Sequence, residues 1–311
     1  MKSKFGAGLA VMGAGLLWAS AGAIGEGSTL PPLLLAELRL GIGGLALFVL
    51  LGRPQICRLV AQLGWKPLAI AVLGVGGFQW AFFAAVVQAG ASFATWGSVA
   101  TGPIWARAIT GRLASEPNSA HSHNLTTVLG VAGGLGLLAI AQGISLQGVL
   151  LTLATGLAYA LYATAANPAS TTNRVGSDAG HTLTITAFAL LCGALTLVPF
   201  AFPLIADIEF TTLGMADFAR IVVLGLASTA FAYCLFAYGI RRLGAEKALS
   251  FQWVQPIATE FLGCSGTSAL TSPAQAVGTM LLTAALLGQC ARNPSMSHHH
   301  PAVDFPAKEQ A

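Results

Sequence analysis

Ten apolar runs of roughly 20 residues follow one another along this chain, separated by short polar or Pro/Gly-rich breaks. They fall near 6–25, 31–51, 67–86, 91–110, 126–142, 147–166, 182–203, 219–239, 247–266 and 274–290. About 20 apolar helical residues cover a hydrocarbon core ~30 Å thick. Repeated runs of that length, with no room for a soluble domain between them, predict an all-α polytopic membrane protein with ten transmembrane helices. The fifth run is the shortest and carries Gly130, Gly133, Gly134 and Gly136. Composition agrees. Only 8% of the residues are charged, against about 25% in soluble domains, too few to clothe a polar surface, and the 55% apolar content excludes disorder. Lys2 and Lys4 before the first run, with Ala21-Gly22-Ala23 near its end, are similar to a signal peptide. The run is longer than the usual h-region and is read as a retained span.

Lys and Arg concentrate on the cytoplasmic side of membrane proteins. With Lys2 and Lys4 placed there, ten alternating crossings bring Arg53, Arg58, Lys66, Arg107, Arg112, Arg174, Arg241, Arg242, Lys247, Arg292 and Lys308 to the same side. Only Arg39 and Arg220 fall opposite, where the loops hold Glu26, Asp207, Glu209 and Asp217. Both termini are therefore expected in the cytoplasm.

Ten crossings divide into five and five, and an odd number per repeat forces the halves to be inverted. A weak echo runs through the chain in consistent order. Leu73-Gly74 returns as Leu224-Gly225, Gly90-Ala91 as Gly244-Ala245, Pro103 as Pro256, and Trp18-Ala19-Ser20 falls where Tyr159-Ala160-Leu161 stands. On these residues, with Pro31 and Arg39 entering the second run, Glu116 after the fourth and Ser272-Pro273-Ala274-Gln275 before the tenth, the chain resembles the drug/metabolite transporter superfamily with two EamA-type repeats. The resemblance covers residues 6–290. It implies two inverted five-helix repeats around a central cavity that moves small organic solutes, often outward, across the bacterial cytoplasmic membrane. The repeats are expected at 1–142 and 143–290, with 291–311 a disordered cytoplasmic tail. One departure stands out. Where an acidic residue should follow the ninth span there is Gly266-Thr267, and Glu260 lies inside the run instead.

Depth in the runs selects candidate residues. Pro103 and Pro256 each remove a helical hydrogen bond and read either as hinges lining the path or as static kinks. Glu260 is costly in lipid; it reads as an ion-coupling carboxylate or as a protonated packing residue. Arg107, four residues beyond Pro103, is expected to snorkel to the cytoplasmic face, too far in depth to meet Glu260. Glu37 and Arg39 read as cavity-edge or structural charges. Gln79, Gln252 and Gln255, with Trp18, Ser20, Trp80, Trp96, Tyr159, Tyr162, Tyr233 and Trp253, are the substrate-cavity candidates. Aromatic walls with a few amides suit a small amphipathic solute.

Other chemistry is not visible. The five cysteines are scattered without a CxxC pair, so neither a disulfide framework nor a metal site is expected. His121, His123 and His298–His300 read as solvated loop residues. There is no P-loop, GxSxG or HExxH motif. The expectation is a non-enzyme that needs no cofactor and no nucleic acid, whose partners are the lipid bilayer and a small-molecule substrate. A homodimer stays open. A lipid or glycolipid flippase and a non-transporting scaffold or sensor are the competing readings.

Overall fold

The computed structural model describes residues 2–26, 28–111, 118–168, 179–206, 213–262 and 272–291. All regular structure in them is helical: α1 (Lys2–Glu26), α2 (Pro32–Leu51), α3 (Arg53–Leu63), α4 (Trp65–Ile109), α5 (Asn118–Gln142), α6 (Leu146–Ala165), α7 (Ala179–Ile205), α8 (Met215–Gly225), α9 (Ala232–Leu243), α10 (Ala245–Ser250), α11 (Val254–Leu262) and α12 (Pro273–Ala291). A π-turn, Leu226–Phe231, runs α8 into α9, and a 3-10 turn, Phe251–Trp253, runs α10 into α11. The protein is an all-α polytopic membrane protein, with eight described helical segments long and apolar enough to cross a bilayer.

One of those eight, α4, has 45 residues, or about 68 Å if straight, more than twice the hydrocarbon thickness. It divides at Gly90, whose φ of 79° and ψ of 157° suit a residue without Cβ. The limbs 65–89 and 91–109 coincide with two separate apolar runs. Residues 245–262, over the ninth apolar run, are helical but interrupted by the 3-10 turn. Helix α3 was not expected. It carries Pro54 in its first turn, with Arg53 and Arg58 exposed, between the second and third runs. Helix α5 begins at Asn118, so His121 and His123 lie on helical backbone rather than in a loop. Glu116, Cys264, Gly266-Thr267, His298–His300 and the tail lie outside the described residues.

The helices interleave the two halves of the chain. α1 packs chiefly on α9 and α11, α2 on α7 and the π-turn, α4 on α6, and α5 on α12. Small residues permit this. A Cβ on Gly74 would meet the backbone N of Tyr162 at 2.5 Å, and one on Gly134 the carbonyl of Gly278 at 2.9 Å. Gly43 and Gly239 lie as close to Thr229 and Val11. Lipid supplies no hydrophobic drive between helices, so close backbone approach carries the packing. Buried hydroxyls find partners within their own helices: Thr101 donates to the carbonyl of Gly97, Thr152 to Gly148 and Thr164 to Ala160, which spares them an unpaired polar group in an apolar medium.

Candidate functional site

A cavity of about 340 Å³ lies between the halves. Its wall takes Trp18 to Gly25 from the end of α1 and Pro32 to Arg39 from the start of α2. Gly74 to Val86 come from the end of the first α4 limb, and Ala91 to Val99 from the start of the second. Leu30 and Gly25 extend its lining to the turn between α1 and α2. No lining residue comes from the first turns of α1 or the last turn of α9.

An aromatic cluster floors it. Trp18 stands edge-on to Tyr233 (5.1 Å between ring centroids) and to Tyr159 (6.0 Å), Tyr162 meets Tyr233 at 5.5 Å, and Phe236 stacks on Tyr159 from beneath at 5.4 Å. Edge-to-face and stacked pairs each add about 0.5–1.5 kcal/mol beyond area burial, which holds the rings of the cluster together. The Tyr162 hydroxyl is fixed 2.9 Å from Thr186 Oγ1. On the wall, the Arg39 guanidinium donates to Gln79 Oε1 at 3.2 Å. Arg39 Nε and the Tyr159 hydroxyl have no hydrogen-bond partner among the described residues.

The predicted candidates separate into two groups. Trp18, Arg39, Gln79, Tyr159, Tyr162, Tyr233 and Gln255 line the cavity. Trp80, next to Gln79 in sequence, is 47% exposed on the outside of the bundle. Trp96 is buried, with Trp253 packed against the same cluster between α4, α5 and α12. Gln252 is buried and donates to the carbonyl of Val11. Ser20 donates to the carbonyl of Leu17, within its own helix. Glu37 does not line the cavity. Glu260 accepts from Ser92 on the second limb of α4, beside wall residue Thr259.

Two expectations change. Arg107 does not snorkel: it is 9% exposed, and its Nε pairs with Glu246 at 2.5 Å. Helix α4 keeps helical geometry through Pro103 and bends at Gly90 instead. Pro256 sits in the first turn of α11, where a missing N–H costs nothing. Sequence reasoning also missed wall residues Phe78, Phe82, Phe83, Thr95, Ser98 and Thr259. Spacing could have found the phenylalanines, since Phe78 and Phe82 are one helical turn apart and stack at 5.5 Å. No group of three His, Cys, Asp or Glu able to hold a metal occurs among the described residues.

Comparison with known proteins agrees with this architecture. A family profile described as the EamA-like transporter family matches residues 146–288, from the start of α6 into α12. The uncharacterized transporter YwfM of Bacillus subtilis (strain 168) is 25% identical over 285 residues, covering 90% of this chain and 92% of that protein. A solved crystal structure shares the fold with a TM-score of 0.63 at 18% identity, over 91% of this chain and 96% of that one.

Proposed function

The chain is a membrane transporter of the drug/metabolite transporter superfamily, and from that premise we propose that it exports small organic solutes across the bacterial cytoplasmic membrane by alternating access. The reading counts ten crossings in two inverted five-helix repeats, 1–142 and 143–290, with both termini in the cytoplasm. The observation that carries it is a cavity between the two halves of the chain, lined at one end by Gly25 and Leu30 at the α1–α2 turn and at the other by Trp18, Tyr159 and Tyr233. In that orientation the α1–α2 turn faces outward. A volume of about 340 Å³ is at the small end of the ligand-pocket range, about 300–1,000 Å³, which favours one small solute over a lipid with two acyl chains.

The test is flux. The purified protein is reconstituted into liposomes and offered labelled amino acids, aromatic acids and cationic drugs, with and without a proton gradient. Protein-dependent flux of at least one compound is expected. Accumulation no faster than in empty liposomes for every compound would overturn the reading.

A further inference from the structure

Arg39 is the one charged side chain among the described residues that line the cavity. A guanidinium at membrane depth is costly unless something compensates its charge. Its described partner, Gln79, is neutral. The nearest carboxylate in sequence, Glu37, lies off the wall, and Glu260 is engaged by Ser92. The two described ion pairs belong to other arginines, Arg107 with Glu246 and Arg220 with Asp217. Arg39 thus carries a planar fork of donors with Nε unused, and the unused hydroxyl of Tyr159 lines the same cavity. That fork matches a carboxylate in shape and charge. Trp18, Phe78 and Phe82 line the same cavity. The described wall offers no acidic group to receive an ammonium.

Resting on the transport reading above, we propose that the cavity binds an aromatic monocarboxylate, its carboxylate on Arg39 with Gln79 and Tyr159 beside it, and its ring among the aromatic walls. The solute is an organic anion, not a cationic drug. Binding compensates the cation that the described residues leave uncompensated.

The experiment measures binding of phenylacetate, phenylalanine and phenethylamine to the purified full-length protein in nanodiscs, by calorimetry and by Trp fluorescence. The three share a ring and differ in charge. Phenylacetate is expected to bind at least ~10-fold more tightly than phenethylamine, the discrimination one charge-assisted pair supports, with phenylalanine between them. Arg39→Gln is expected to weaken phenylacetate by about 10- to 100-fold and Arg39→Lys by less. Equal or tighter binding of phenethylamine, no binding of phenylacetate at millimolar concentration, or an unchanged affinity in Arg39→Gln overturns the proposal. Should Arg39→Gln fail to fold, the wild-type series decides alone. Flux of the same compounds separates the two claims. The expected binding order without flux upholds the anion site and removes the transport reading. Flux of phenethylamine that survives Arg39→Gln removes the anion site and upholds transport.

Discussion

Arg107 near the end of the second α4 limb and Glu246 at the start of α10 form an ion pair of 2.5 Å at the end of the bundle opposite the α1–α2 turn. Their side chains are 10% and 24% exposed, so the pair is largely withdrawn from solvent. It joins a helix from the first half of the chain to one from the second, on the side that the aromatic floor closes.

Glu246→Gln takes away that charge partner. Breaking a fully buried pair costs about 3–5 kcal/mol; with Glu246 a quarter exposed, about 2–4 kcal/mol is expected. Thermal unfolding in detergent should show a lower Tm, and the swap Arg107→Glu with Glu246→Arg should recover part of it. An unchanged Tm in Glu246→Gln would mean the contact contributes nothing to stability.

Backbone conformation, rather than space, makes Gly90 and Gly244 intolerant of a side chain. Both have positive φ, 79° and 82°, and neither has an atom within 4 Å of a built Cβ. Gly90→Ala and Gly244→Ala should each cost about 1–3 kcal/mol. Gly133→Ala, equally open but helical, should be neutral or stabilise by about 0.5–1 kcal/mol. Pro103→Ala, inside unbroken helix, should keep transport activity. Three equal Tm values for the glycine variants would contradict the assignment.

Glu260 is the test of coupling. With flux established, Glu260→Gln should abolish its dependence on a proton gradient, while Ser92→Ala, which keeps the carboxylate and removes its donor, should retain it. Undiminished proton-driven flux in Glu260→Gln would rule the residue out as the coupling group.

Orientation can be read from Cys57, which is exposed on α3. A membrane-impermeant maleimide should label it in inside-out vesicles and not in intact cells, with Cys57→Ala removing the signal. Labelling from the outside would invert the proposed topology.

Much of the fold is legible in the sequence because a bilayer permits so few solutions. An apolar run of the right length must be a helix, and among the described residues each predicted run falls largely on helix. What the runs do not encode is rotation about each helix axis. Gln79 and Trp80 are neighbours at the same depth, yet one lines the cavity and the other faces outward. In a helix apolar on all sides, polarity no longer marks the inner face. Trp96 and Trp253 illustrate the same limit, since depth alone cannot separate a cavity wall from a packed core. Arg107 was misplaced for a different reason. Its partner is 139 residues away in sequence, and only tertiary packing brings Glu246 to it.

The interleaving of α1 with α9, α2 with α7, α4 with α6 and α5 with α12 bears on assembly. Each half presents its glycine-lined faces mainly to the other half, so a five-span fragment made alone would leave those faces against lipid. On the proposed inverted topology, to bury them it would have to find a second five-span fragment inserted upside down. The covalent link near residue 143 would then turn that search between molecules into an event within one, and would fix the proposed opposed insertions in a single chain.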